Sequence, residues 1–181
     1  MAQDPIILLI RTLGELYVFI IVMRFLLQLA QVDYYNPICQ AVAKITNVPV
    51  LAMSKALPRI GRVDISALLY AFIVKAAIIL LLLTVIGQAF PNIVSIALYS
   101  VIGVLNDLLT ILFWATLASV VISWIAPGSY HPGPQLIMQL TEPLFALFRK
   151  VIPPIGGLDL SPIFIFLIIQ LLQSQLRAFV I

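Results

Sequence analysis

The sequence predicts an all-α membrane protein in which four transmembrane helices form two parallel two-helix repeats. Three observations predict this class. The 181 residues are 63% hydrophobic and 9% charged, whereas soluble domains average about 25% charged residues. Four apolar runs approach or exceed the roughly 20 residues that cross about 30 Å of hydrocarbon as a helix. Finally, the second half of the chain repeats the first half at a fixed offset.

The repeat falls on the two polar loops between the apolar runs. Tyr130 stands 95 positions after Tyr35. The same offset, without a gap, gives the pairs Pro37/Pro132, Gln40/Gln135, Thr46/Thr141, Lys55/Lys150, Pro58/Pro153, Ile60/Ile155, Gly61/Gly156, Asp64/Asp159 and Ser66/Ser161. Shared hydrophobicity does not produce a gapless register through proline, glycine and aspartate. We therefore interpret residues 1–90 and 91–181 as two copies of one unit.

The apolar runs predict crossings at about 6–30, 66–86, 101–126 and 162–181. The basic residues of the connections lie between the two crossings of each unit: Lys44, Lys55, Arg59, Arg62, Arg149 and Lys150. By the positive-inside rule, loops 31–65 and 127–160 are cytoplasmic and both termini lie on the opposite side. Each unit then returns the chain to its starting side, so the repeats are parallel and related by an axis along the membrane normal.

The composition gives no support for several kinds of chemistry. A lone cysteine, Cys39, and a lone histidine, His131, do not make a disulfide or a cysteine- and histidine-built metal site. The sequence contains no Ser/His/Asp, HExxH or P-loop arrangement. Its basic residues form no run and lack an interleaved aromatic pattern for stacking on bases. We expect a protein without enzymatic activity, cofactor or nucleic-acid partner.

Both cytoplasmic loops carry the pattern of short amphipathic helices. Asn36 is a suitable N-cap, with Pro37 at the first helical position. In the second unit, Pro143 is expected to open a helix whose apolar stripe is Leu144, Leu147, Phe148 and Val151. Such helices either lie in the headgroup plane or fold back against the transmembrane bundle. The predicted partners are the lipid bilayer with its anionic headgroups, and a protein partner or a second copy of the chain.

An elbow motif follows each loop helix, over residues 57–66 and 152–161. Proline stops the preceding helix, glycine permits a positive φ in the turn, and serine caps the outgoing helix. The aspartates accept backbone N–H groups at the helix start, pair with Arg62 or Arg149, or contact a ligand. The candidate motif residues are Lys55, Pro58, Gly61, Asp64, Ser66, Lys150, Pro153, Gly156, Asp159 and Ser161.

Ionisable side chains at membrane depth form a second set of candidates, because such groups are costly unless they are paired or hydrated. Lys75 lies near the middle of the second crossing, with Glu15 as its expected partner. Asp107 and Arg177 are expected at similar depth and form a second possible pair, while Gln170 belongs to a polar stripe on the fourth crossing. Arg24 is expected to point away from this set and to reach the cytoplasmic surface.

Different readings of these buried polar groups remain open at this level. They fix the packing of the helices, or of protomers, through ion pairs and hydrogen bonds. Alternatively, they line a hydrated path for ions or protons, or they bind a lipid headgroup or a cofactor. A path would make the protein a small cation conduit, with potassium as one candidate ion, or a channel subunit lined by Glu15, Lys75, Asp107 and Gln170.

The residues that carry a family resemblance lie mostly in the second loop, with three more in the first. The stretch from Leu140 to Leu144, the stretch from Arg149 to Pro162, and Asn36-Pro37-Ile38 resemble the YggT family of small bacterial membrane proteins, whose plastid relatives include the YlmG proteins. The first unit departs from the pattern, since Asn47-Val48 replaces Glu142-Pro143 and Arg62 replaces the second glycine.

The resemblance implies a non-enzymatic, multi-pass protein of the bacterial inner membrane. Family members are associated with osmotic-stress tolerance and potassium accumulation, with cell division and nucleoid distribution, and with assembly of a haem-bearing cytochrome complex in plastids. The function it implies here is envelope homeostasis under osmotic stress or assembly of a membrane complex.

Overall fold

The computed structural model describes residues 4–55, 65–152 and 159–179. These ranges contain six helices: α1 (Pro5–Leu29), α2 (Pro37–Ser54), α3 (Ile65–Ile86), α4 (Ile93–Ile125), α5 (Pro132–Val151) and α6 (Ser161–Ala178). Four of them, α1, α3, α4 and α6, are long and apolar enough to cross a membrane. The predicted all-α class with four membrane spans is confirmed.

Capping residues explain where several helices begin. The Asp4 carboxylate accepts the backbone N–H of Ile6, and Asn36 accepts that of Ile38 at the start of α2. Asn92 accepts the N–H of Ser95 and opens α4. Each bond satisfies one of the backbone donors that a helix start leaves without an intrahelical partner.

Two predicted helix starts are wrong. The third span begins at Ile93 rather than near residue 101 and is 33 residues long. Residues 93–100 are themselves apolar, and Asn92 caps the helix ahead of them, so the helix is longer than the crossing assigned from the sequence. The helix expected to open at Pro143 begins at Pro132 and continues through Pro143. The proline removes one N–H donor but does not end this helix, which packs on both α4 and α6.

The two units are arranged alike around their own spans. Helix α2 packs on α1 and α3, just as α5 packs on α4 and α6. The larger core is formed by α1, α3 and α4 together with residues of both loop helices, and Val18, Ile21 and Val22 of α1 are completely buried in it. A smaller core joins α4, α5 and α6 around Ile165 and Ile169.

The contacts between the units break this symmetry. Helix α3 of the first unit packs on α4 of the second, and α1 also contacts α4. Within the described residues, α6 packs on α4 and α5 but makes no comparable contact with α1. A groove therefore runs along α4, between α1 on one side and α6 on the other.

Candidate functional site within the membrane

A buried ammonium group joins three membrane-spanning helices. Lys75 of α3 donates to Glu15 of α1 at 2.5 Å and to Asp107 of α4 at 2.9 Å. Its side chain is 11% exposed, whereas those of Glu15 and Asp107 are 41% and 23% exposed. One cation between two carboxylates leaves an excess of negative charge inside the bundle, and the lysine holds both units together.

A glycine makes room for this lysine. Gly103 of α4 has no Cβ, and a Cβ at this position would lie 2.6 Å from Cε of Lys75. The lysine stem therefore crosses α4 at a position that only glycine leaves open. Asp107 stands one turn further along the same face, which is the spacing that brings its carboxylate to the ammonium group.

The structure corrects the expected pairing of Asp107 with Arg177. Asp107 bonds Lys75 instead, and Arg177 is exposed and makes no ion pair within the described residues. Gln170 is also exposed rather than directed into the bundle. The inward-facing amide of α6 is Gln173, which donates to Thr110 at 3.0 Å and to Asn106 at 3.4 Å. Only the expected Glu15–Lys75 pair is present.

Arg24 does not reach the cytoplasmic surface as expected. Its side chain is buried against α2, where it donates to Thr46 and Asn47, each at 2.8 Å, and lies 3.4 Å from the carbonyl oxygen of Ala43. The guanidinium group thus fastens the first loop helix to the first span.

We predict that Arg24→Lys weakens the attachment of α2 to α1. Arg24 donates to both acceptors from its terminal Nη1, and lysine, with the same charge on a shorter side chain, does not place a donor at that point. The free energy of unfolding should fall by about 1–3 kcal/mol, the cost of leaving a buried acceptor unsatisfied. Denaturation of the purified protein in mixed micelles measures this, with exposed Lys44→Arg as control. Equal stability of the two variants would contradict the anchoring role.

Two buried threonines at equivalent positions of the repeat also have partners at equivalent positions. Neither threonine was among the candidate site residues. Thr46 and Thr141 are completely buried. Thr46 accepts from Arg24, and Thr141 donates to Ser119 at 3.2 Å. Ser119 stands 95 positions after Arg24, so each loop helix is tied to its span by equivalent positions. The signal was the Thr46/Thr141 pair itself.

The elbow residues are described only in part. Pro58, Gly61, Asp64, Pro153 and Gly156 lie outside the described residues. Of the remaining candidates, Lys55 and Lys150 are exposed, whereas Ser66 and Ser161 are buried at the starts of α3 and α6.

Asp159 has two of the three roles considered for it. It accepts the backbone N–H of Ser161 at 2.9 Å and the Nε–H of Arg149 at 2.8 Å. Burial raises the pKa of the Asp159 carboxyl, but the bonds from Ser161 and Arg149 outweigh burial and hold that pKa below its usual range. The hydrogen bond to Asp159 in turn raises the pKa of Arg149.

The expected serine cap on α6 is therefore wrong. Asp159 bonds the first N–H of the helix, while the Ser161 hydroxyl is buried without a hydrogen-bond partner in the described part of the chain. Arg149 also donates to Glu142 at 3.2 Å, so the end of α5 is joined to the start of α6 through charged groups.

Comparison with known proteins identifies one family over nearly the whole chain. The family model described as CCB3/YggT matches the chain twice, over residues 3–94 and 98–180. The chain belongs to the CCB3/YggT family. The double match agrees with the duplicated unit seen in the sequence and in the helix packing.

Two relatives match most of this CCB3/YggT chain, and a third matches less than half of it. The uncharacterized protein PA0392 of Pseudomonas aeruginosa is 40% identical over 92% of this chain and 85% of its own length. The uncharacterized protein YggT of Escherichia coli K12 is 29% identical over 94% of this chain and 88% of its own. The uncharacterized protein ycf19 of Galdieria sulphuraria covers 41% of this chain at 33% identity, and 81% of its own length is matched. No solved structure matches this chain significantly.

Proposed function

We propose that this CCB3/YggT protein acts without catalysis in the bacterial inner membrane, in envelope homeostasis under osmotic stress or in assembly of a membrane complex. The layer formed by α2 and α5 is its docking surface for a protein partner or the anionic cytoplasmic leaflet. The observation that carries the proposal is the chemistry of this layer, which presents apolar and basic side chains together. The resemblance to YggT proteins supplies the physiological setting.

The exposed side of the layer has the same character in both units. Lys44 lies among Ile45 and Val48, which are 53% and 83% exposed. Lys150 lies beside Val151, which is 76% exposed. Apolar side chains flanked by lysine suit an interface with anionic headgroups or with a partner protein.

The two halves of this layer are fixed to each other. Asn36, which caps α2, also donates its amide N–H to the carbonyl oxygen of Pro132 at the start of α5 at 2.7 Å. The backbone N–H of Asp33 donates to the Gln139 side chain at 3.0 Å. The two helices therefore offer one continuous surface.

The cation conduit receives less support from the same geometry. Its proposed lining includes Gln170, which faces away from the bundle. Lys75 lies between the two carboxylates that would bind a passing cation. A potassium-flux assay on purified protein in liposomes tests this function, and flux under an imposed gradient would restore it.

Complementation of a deletion strain tests the docking surface. Val48→Gln combined with Val151→Gln should fail to restore growth under high osmolarity, because two exposed apolar contacts are lost. Val94→Gln is the matched control, since Val94 is 70% exposed at the opposite end of the molecule. Membrane abundance is measured for every variant. Full restoration by the double variant at equal abundance would contradict the proposal.

The orientation is tested separately with an impermeant thiol reagent on Lys150→Cys. Burial, with Asp33 nearby, raises the pKa of the native Cys39 thiol, so background labelling is low. Labelling only after the membrane is permeabilised places the layer in the cytoplasm. Labelling of intact spheroplasts would place it outside.

A further inference from the structure

The outer part of the groove between α1 and α6 contains a cavity lined by cations. Its volume is about 470 Å³. The polar lining comes from all four spans: Arg11, Lys75, Tyr99, Asn106 and Arg177. By the predicted topology, this end of the spans lies in the outer leaflet.

Towards the predicted cytoplasmic end, the α1 side of α4 is apolar. A second cavity, of about 360 Å³, lies between α1, α4 and α5. Its lining includes Phe19 and Met23 of α1, Trp114 of α4, and Leu136 of α5. Trp114 is 61% exposed, so a large aromatic surface remains uncovered here.

The two cavities follow one another along α4. Asn106 lines the outer cavity and Thr110, one turn further, lines the inner one. Gln173 of α6 bonds both of these residues. On the α1 side, Phe19 stands eight residues beyond Arg11, about 12 Å along the helix axis and within the roughly 15 Å of hydrocarbon in one leaflet.

The charges at the outer end favour an anion. Lys75 is paired with two carboxylates, Glu15 and Asp107. Arg11 and Arg177 make no ion pair within residues 4–55, 65–152 and 159–179, although both line the cavity. Three cations and two carboxylates leave one positive charge in excess. Guanidinium groups on opposite walls suit bidentate binding of a phosphate.

We propose that this groove binds one phospholipid with an anionic headgroup. Its phosphate lies between Arg11 and Arg177 in the outer cavity, and an acyl chain follows α4 past Phe19 and Trp114 in the inner one. The lipid fills the space that the missing α1–α6 contact leaves open and so completes the packing between the units.

Tryptophan fluorescence tests the proposal directly. The Trp124→Phe protein retains Trp114 as its sole tryptophan. In vesicles of brominated phosphatidylglycerol diluted into unlabelled phosphatidylcholine, Trp114 should be quenched more strongly than in the same dilution of brominated phosphatidylcholine. Equal quenching by the two brominated lipids would overturn the preference for an anionic headgroup.

Charge removal then locates the headgroup. Arg11→Gln with Arg177→Gln should weaken the phosphatidylglycerol preference at least about tenfold, or about 1.4 kcal/mol. The Arg11→Lys, Arg177→Lys protein keeps both charges and should retain part of it.

Competition with inorganic phosphate separates the headgroup from the whole lipid. Millimolar phosphate should not reduce the quenching, because it lacks the chain that contacts Trp114. Loss of quenching in phosphate would instead indicate a site for free anions. Unchanged lipid preference in the Arg11→Gln, Arg177→Gln protein would remove the headgroup from this groove.

Discussion

Lys75→Met should destabilise the protein by about 3–5 kcal/mol, the cost of removing one partner from a buried ion pair. The substitution leaves Glu15 and Asp107 facing each other without the ammonium group that both now bind. Partial exposure of the Glu15 carboxylate favours the lower end of this range. Denaturation of the detergent-solubilised protein with SDS, followed by circular dichroism, measures the loss.

Neutralising all three groups should recover most of that stability. In the Lys75→Met, Glu15→Gln, Asp107→Asn protein no charge remains buried, and ion pairs are often replaceable by neutral groups of similar size. Lys44→Met is the control for removing one cation, since Lys44 is exposed and outside any ion pair of the described residues. A single Lys75→Met variant as stable as this control would show that the three-way contact contributes little.

Depth in the membrane was predictable from the sequence, but direction around a helix was not. Counting residues from the ends of the apolar runs placed Lys75 near Glu15, and the structure pairs them. The same counting placed Asp107 near Arg177, yet Asp107 faces α3. Which side of α4 faces α3 depends on how the two units pack, and a hydropathy pattern in spans apolar on all sides does not encode it.

The loop helices show a similar division. Pro37 and Asn36 predicted the start of α2, because the cap and the proline act locally. Pro143 gave the same local signal inside α5, where contacts with α4 and α6 hold the helix continuous. Tertiary packing decided the second case, and only the pairing of Pro132 with Pro37 in the repeat indicated the true start.

The 95-residue offset also relates positions whose residues differ between the two units. It pairs Arg24 with Ser119, two chemically different side chains that occupy equivalent places against Thr46 and Thr141. In the first unit a guanidinium group bonds the buried threonine, and in the second unit a serine hydroxyl does so. The angle of Arg24 around the first span predicted a side chain at the cytoplasmic surface, whereas its repeat position and its partner Thr46 place it inside.

Gly103→Ala should destabilise the protein by about 1–3 kcal/mol, the usual cost of overpacking a core. The new Cβ would lie 2.6 Å from Cε of Lys75, and the lysine cannot move away without lengthening its bonds to Glu15 or Asp107. In an open helical site the same change stabilises by about 0.5–1 kcal/mol, because glycine is the poorer helix former. Destabilisation by Gly103→Ala would therefore indicate that the new Cβ meets Lys75, and stabilisation would indicate that it does not.

Gly133→Ala is the matched control, since a Cβ at Gly133 in α5 meets nothing within 4 Å. SDS denaturation should show a smaller loss for it than for Gly103→Ala, since only the following Pro134 restricts an alanine there. In a Lys75→Ala background, Gly103→Ala should lose its penalty, because the atom it meets is gone. If Gly103→Ala lowered the stability equally with and without the lysine side chain, the effect would come from the α4 backbone. Gly103 would then have no role in accommodating the lysine that joins the two units.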